Sequence, residues 1–327
     1  MKAMRFHEYG DSGVLRYEDV DLPAPSAGEV RLRVAATAFN PVDDGIRGGY
    51  LRDAFPVTLP HIPGIDVAGT VDAIGEGVDG LELGDAVIGF LPMTANGAAA
   101  EYVVAPAEIL TPAPSSIPLG DAAALPSVGL TAQQALFELG KLAAGQRVLI
   151  NGAGGAVGGY AVQLAKRAGA HVIATASPRS SESVRTAGAD EVIDHTATDV
   201  AAAVTEPVDV LLNLAPIEPA QLTALAALVR SGGVVVNTTV WMPAPADEER
   251  GVRGINVYVR SDAEQLSRLV ALIDRGELRV AVAQRVPLAE LPTVHASAAA
   301  GALPGKVIVV PAAATSTRGV ATAGPRG

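Results

Sequence analysis

Cysteine is absent from the 327 residues, which excludes disulfides, thiolate metal sites and a cysteine nucleophile together. Charge is scarce as well. The 24 basic and 35 acidic residues make up 18% of the chain, below the ~25% of an average soluble domain. Their balance, a net charge of −11, leaves no basic surplus for nucleic acid or an anionic membrane surface. No apolar stretch reaches the ~18 residues that a membrane span needs, because residues such as Arg147 and Arg230 interrupt the richest ones. The opening MKAMRFHEYG carries Arg5, His7 and Glu8 where a secretory signal would need an apolar core. The expectation is a cytoplasmic protein without a nucleic-acid or membrane partner.

What is present is apolar. At 49% hydrophobic residues, the chain can bury enough surface to offset its conformational entropy. Its length suggests about two domains. Residues 28–39 alternate Val30, Leu32 and Val34 with Arg31 and Arg33, the period of a half-buried strand. Runs at 65–74 and 85–90 are similar, and the glycines between them suggest a small, strongly bent β-barrel over residues 1–119. Pro41 opens a short helix. From 120 to about 260 the texture changes. Six apolar runs (148–150, 171–176, 191–193, 208–214, 233–237 and 255–259) alternate with helical patterns, which predicts a doubly wound parallel sheet covered on both faces. A helix over 261–275 follows, with Ser261 and Glu264 as its capping box. Residues 261–311 are read as a return to the first domain, and the aperiodic tail 312–327 as mobile.

The segment VLINGAGGAVGGYAVQLAKRAGAHVIATAS (148–177) reads as strand, glycine turn, helix and strand. Such a turn must be tight and free of Cβ atoms, so that a pyrophosphate can approach the backbone N–H groups at the helix N-terminus. The fingerprint is degenerate: Ala153-x-Gly155-x-x-Gly158 keeps two of three glycines, and Ala156 and Val157 complete the turn. Nineteen residues beyond Gly158, where NAD enzymes place a carboxylate for the ribose hydroxyls, stands Ser177-Pro178-Arg179-Ser180. A hydroxyl and a guanidinium there suit the 2′-phosphate of NADP; the alternative is a solvated loop with an ordinary surface arginine. Thr238 lies just past the fifth apolar run, on the edge of the sheet where ligands bind.

These motifs, with NPVD (40–43), PGIDVAGTV (63–71), GDAVIG (84–89), GLTAQQAL (129–136), GADEVID (188–194) and GKVIVV (305–310), resemble the medium-chain dehydrogenase/reductase superfamily. More narrowly, the chain is similar to its zinc-free quinone oxidoreductases related to zeta-crystallin. The resemblance implies an α/β architecture, a GroES-like barrel beside a Rossmann domain, with the active site between them. It implies no metal: the slots that hold cysteine and His-Glu in zinc-dependent relatives carry Phe39-Asn40-Pro41 and Ile65-Asp66 here, and a catalytic zinc needs three close ligands. Asp66 is then a structural hydrogen-bonding carboxylate.

Without a metal to polarise a carbonyl, hydride transfer to a conjugated acceptor is the easier reaction. The expected activity is therefore NADPH-dependent reduction of a quinone or α,β-unsaturated carbonyl, by a homodimer paired through the edge strand at 255–259. An enoyl-thioester reductase and a non-catalytic NADPH-binding protein are the alternatives. By resemblance, Asn40 and Asp43 line the cleft, Thr131 meets the nicotinamide half of the cofactor, and His195, Asn213 and Lys306 lie along it. Tyr50 has two readings, proton donor or loop tyrosine packed on the barrel. Arg47 holds a substrate anion or faces solvent, and residues 241–254 shape the pocket or form a solvated flap.

Overall fold

The computed structural model describes residues 1–239 and 241–311; the tail 312–327, expected to be mobile, lies outside the described residues. Strand Glu29–Ala38 is the spine of a bent sheet. It pairs antiparallel with Asp66–Ile74 and Tyr102–Pro106, and Ala86–Phe90 and Leu110–Pro112 extend the sheet. The alternation in the sequence is what orients this strand: Val30, Leu32 and Ala36 are fully buried while Arg33 is exposed. The chain returns to the same sheet at its end. Val307–Val310 pairs antiparallel with Thr37 and Ala38, and parallel with Gln284–Pro287.

All six apolar runs form strands of one parallel sheet. Its order is Glu191–Asp194, His171–Ala176, Arg147–Asn151, Val208–Asn213, Val229–Asn237 and Arg253–Asn256. The order reverses beside Arg147–Asn151, the switch point where such sheets bind ligands. Two local expectations are corrected. The last strand is shorter than the run at 255–259 and ends at Asn256, although it does lie at the edge. The helix Ala263–Asp274 is capped by Asp262, whose carboxylate accepts from Gln265 N at 2.9 Å. Ser261 is one residue too early for that role, and its hydroxyl donates instead to the Phe90 carbonyl at 2.5 Å.

One apolar cluster joins the two sheets. Ala36, Ala68, Ile88 and Phe90 of the barrel and Ile150, Val172 and Val210 of the parallel sheet belong to it, with Ala122–Leu125 among them in sequence order between the two. This continuity fixes the cleft between the domains, because neither sheet can tilt without opening a void. Leu125 has no exposed surface. Leu125→Ala is expected to cost about 2–5 kcal/mol of stability, read from denaturant unfolding; an unchanged midpoint and slope would mean that the junction carries no load.

Candidate active site

The glycine turn opens on a cleft of about 540 Å³. Strand Arg147–Asn151 ends in Gly152, whose φ of 88° is a left-handed conformation that favours glycine. Helix Ala156–Arg167 then begins beneath the cleft. A Cβ on Gly158 would lie 2.5 Å from the Ala153 backbone, so this glycine allows the helix to pack close to the turn. Ala153 itself is buried and does not line the cleft. That is why alanine suffices in the first slot of the fingerprint.

Of the residues singled out in the sequence, Gly155, Ala156, Val157, Gly158, Ser177, Arg179, His195, Thr238, Asn40 and Lys306 line the cleft. Thr131 and Asn213 do not: the Thr131 hydroxyl donates to the Ser127 carbonyl at 2.7 Å, and Asn213 is fully buried behind the rim. Thr175, Ser183, Leu303 and Pro304 are lining residues that the sequence reading did not single out, and Ser180 lines the cleft beside Ser177. Ser183 lies three residues past Ser180, a signal that was available. The Arg179 guanidinium reaches across to donate to the Leu303 carbonyl at 3.3 Å. Among the described residues no Asp or Glu lines the cleft, whereas Arg179 and Lys306 do.

The floor is a buried polar cluster. Lys306 Nζ donates to Asn40 Oδ1 at 2.6 Å, with the Phe39 carbonyl at 3.3 Å and Asp66 Oδ2 at 3.4 Å. Asp66 has no exposed surface. Its Oδ1 accepts from Ser127 N at 2.7 Å, and its Oδ2 from Ser127 Oγ at 2.8 Å and Asn40 Nδ2 at 2.9 Å. Ser127, the first turn of helix Pro126–Gln133, was not anticipated; nothing local in the sequence marks it. Zinc does not fit this donor set. Both Asp66 oxygens already accept from N–H and O–H donors, its neighbour is Ile65, and an ammonium stands against it. Asp66 ties Asn40, Ser127 and Lys306 together.

Asp43 sits one layer deeper. Its Oδ2 accepts from Asn40 N at 2.8 Å and its Oδ1 from Gly64 N at 3.1 Å. It positions the Asn40 turn and does not line the cleft. Burial pushes its carboxyl up to about 7; the backbone donors and Lys306 oppose the rise and Asp66 adds to it.

Tyr50 is not brought to the site. The left-handed Gly49, φ 78°, turns the chain after helix Pro41–Arg47. Tyr50 is left 86% exposed, its ring beside Gly48 and outside the cleft lining. Neither reading of Arg47 holds either: it is buried, donates to the Gly10 carbonyl at 2.7 Å and pairs with Asp44. Residues 241–254 do not line the cleft. They fold back on themselves through an Asp247–Val252 bridge and an Asp247–Arg250 ion pair, and Trp241 lines a separate groove with Pro243 and Leu222.

Residues 26–115 match the alcohol dehydrogenase GroES-like domain, and residues 187–309 a zinc-binding dehydrogenase domain. The chain is 34% identical over 330 residues to a chloroplast envelope quinone oxidoreductase homolog of Arabidopsis thaliana, covering 95% of this chain and 98% of the relative. The chain belongs to the quinone oxidoreductase branch of the medium-chain dehydrogenase/reductase superfamily. It is also 30% identical to a 2-methylene-furan-3-one reductase of Solanum lycopersicum, over 95% of this chain and 79% of that one. The structure of the quinone oxidoreductase from Coxiella burnetii superposes with a TM-score of 0.86 at 28% identity, covering 95% and 99% of the two chains. Membership of this branch implies an oxidoreductase that uses a nicotinamide cofactor and a small-molecule substrate.

The Asp43 carboxyl makes a pH prediction. Its folded-state pKa lies above its unfolded value of 3.8. Its contribution is therefore complete below about pH 4 and is lost as pH rises through about 7. Stability of Asp43→Asn relative to the parent chain is expected to climb across that window and level off above it. Parallel melting curves of the two proteins check this; a constant difference from pH 4 to 8 would contradict it.

Proposed function

We propose that the protein is a zinc-independent, NADPH-dependent reductase of quinones or α,β-unsaturated carbonyls. The observation that carries the cofactor choice is the charge of the cleft. In a chain of net charge −11, the lining has Arg179, His195 and Lys306 and, among the described residues, no carboxylate. A carboxylate at the ribose end would repel a 2′-phosphate, whereas Arg179 flanked by the hydroxyls of Ser177 and Ser180 attracts it. The backbone around Gly154–Val157, at the N-terminus of an α-helix, suits a pyrophosphate. A reduced nicotinamide supplies hydride.

The chain's own residues supply position and potential. Lys306, whose protons are held by Asn40, Asp66 and the Phe39 carbonyl, fixes a positive charge at the floor, and that charge attracts the negative charge that grows on an acceptor during reduction. Asp66, Ser127 and Asp43 hold Asn40 and Lys306 in place. A conjugated acceptor suits this site, because its charge spreads over several atoms and the field of one fixed cation can stabilise it without a metal. The names of two relatives support the substrate class: one is a quinone oxidoreductase homolog, and 2-methylene-furan-3-one is a carbonyl conjugated to an alkene. Tyr50, exposed and outside the lining, has no part in this proposal.

Titration of NADPH and NADH by fluorescence tests the cofactor. NADPH is expected to bind more tightly by about 10- to 150-fold, the worth of one charge-assisted phosphate contact, and Arg179→Ala should abolish most of that preference. Equal affinities in the parent chain would overturn the choice. The same protein, assayed with quinones, enones and simple ketones before and after a chelator, should reduce the first two classes and be indifferent to the chelator.

We further propose a homodimer paired through Arg253–Asn256. Among the described residues that strand has a neighbour on one side only, and Tyr258 just beyond it is 75% exposed. Such an edge invites pairing with its own copy. Light scattering should give twice the 33.1 kDa of one chain; the mass of a single chain at micromolar concentration would exclude it.

A further inference from the structure

Four asparagines stand in register across four neighbouring strands of the parallel sheet. Asn151 faces Asn213, Asn213 faces Asn237, and Asn237 faces Asn256. All lie at the carboxyl ends of their strands, and the first three are buried, Asn213 and Asn237 completely. Thr175 continues the row on the next strand. Its Oγ1 accepts from Gly152 N at 2.8 Å and donates to Asn151 Oδ1 at 2.9 Å. Asn151 Nδ2 then donates to Asn213 Oδ1 at 2.8 Å, Asn213 Nδ2 to Asn237 Oδ1 at 2.9 Å, and Asn237 Nδ2 to Asn256 Oδ1 at 3.5 Å.

The row has a direction, and backbone groups fix it. The Gly152 N–H can only donate, which leaves the Thr175 hydroxyl to donate onward. Asn213 Nδ2 also reaches the Ala215 carbonyl at 3.1 Å, and Asn237 Nδ2 the Met242 carbonyl at 2.6 Å and the Thr239 carbonyl at 3.1 Å, so Asn256 Oδ1 at 3.5 Å is a weak third acceptor at the end of the row. At the far end Asn256 Oδ1 accepts the Ala244 N–H at 2.9 Å. Aligned hydrogen bonds in a dry interior reinforce one another. The row's side chains hold the loops that follow the strands: Thr175 Oγ1 accepts from Gly152 N, and the Asn213 and Asn237 amides donate to the carbonyls of Ala215, Thr239 and Met242. The loops are bonded to the backbone of the same residues as well, Leu214 N to the Asn151 carbonyl at 2.8 Å and Thr238 N and Oγ1 to the Asn213 carbonyl.

We propose that this directed row is the device that positions the cofactor loops, with Asn213 as its central positioning residue. An amide is required there because each inner member must accept from one side and donate to the other. A carboxylate accepts only. Asn256, the terminal acceptor, carries no such demand. The inference rests on the cleft being the dinucleotide site.

Asn213→Asp and Asn256→Asp separate the two kinds of position. At 213 the introduced carboxyl can accept from Asn151 in either form but can donate one hydrogen bond, to Asn237 or to the Ala215 carbonyl, only while protonated; none of these partners is titratable. The charged and titratable residues of the five strands that carry the row, Arg147, His171, Asp209, Arg230 and Arg253, lie at or near their amino ends. Burial and the missing donors raise the pKa of the introduced group above its unfolded value, so its fit is kept at low pH and lost as pH rises. Between about pH 5 and pH 9, NADPH affinity of Asn213→Asp is expected to fall about tenfold or more beyond any change in the parent chain. Asn256→Asp should follow the parent chain throughout.

Melting curves without cofactor, over the same pH series, should show the same contrast. Parent-like behaviour of Asn213→Asp in both readouts, or an equal loss in Asn256→Asp, would overturn the proposal. Should Asn213→Asp fail to fold, Thr175→Val and Thr175→Ser decide. Valine, which breaks the link to Gly152, should weaken NADPH binding and serine should restore it; a valine variant equal to the parent chain would overturn the proposal. A parent chain that binds neither NADPH nor NADH would refute the cleft's assignment, while the melting series still tests the row itself.

Discussion

One buried ammonium ties the molecule's ends to its middle. Lys306 Nζ, on the returning segment, holds the Asn40 turn and Asp66, while Asp66 in turn holds the first turn of the helix that leads into the parallel sheet. Taking an ammonium and a carboxylate out of water costs several kcal/mol each, and close geometry with further hydrogen bonds offsets this. Here the offset is complete in kind: every Asp66 oxygen accepts, and Lys306 has three acceptors for its three protons. Neither partner can be lost without stranding the other. The floor of the cleft is therefore rigid, and its cation stands at one place.

That cation has company of its own sign in an acidic protein. Acidic residues outnumber basic ones by 35 to 24, yet the Lys and Arg residues lining the cleft are Arg179 and Lys306, and among the described residues no Asp or Glu lines it. A concave site with low-dielectric walls concentrates such a field. The acidic groups near the parallel sheet are instead spent on ion pairs elsewhere, such as Asp209 with Arg230 and Asp190 with Lys166. The charge pattern is thus one of segregation. It suits a small anionic ligand and disfavours any large anionic partner.

The carboxyl edge of the parallel sheet meets a second demand without charge. Its backbone turns away into loops just where a ligand must lie, and buried polar groups there need partners. The row from Thr175 to Asn256 satisfies them with neutral side chains that both donate and accept. Ion pairs at the floor and amides along the edge solve the same problem at different distances from the charge on a ligand.

Strand faces, the six apolar runs, the glycine turn and the hydroxyl-rich loop at 177–180 were all legible in the chain, because each rests on neighbours within a few residues and on periods of two or 3.6. The likeness to a family carried the order of the two domains. The likeness also pointed to Asn40 and Lys306, but not to what they touch. Lys306 and Asn40 are 266 residues apart in sequence, and Ser127 and Asp66 are 61; only the return of the last strand and the packing of one helix on the barrel bring them together. Asn151, Asn213, Asn237 and Asn256 are unremarkable singly, and become a row once strand order and register align them. Tyr50 and Arg47 were misread for the same reason: a single glycine turn and a pairing with Asp44 decide where their side chains lie, and no local periodicity encodes either.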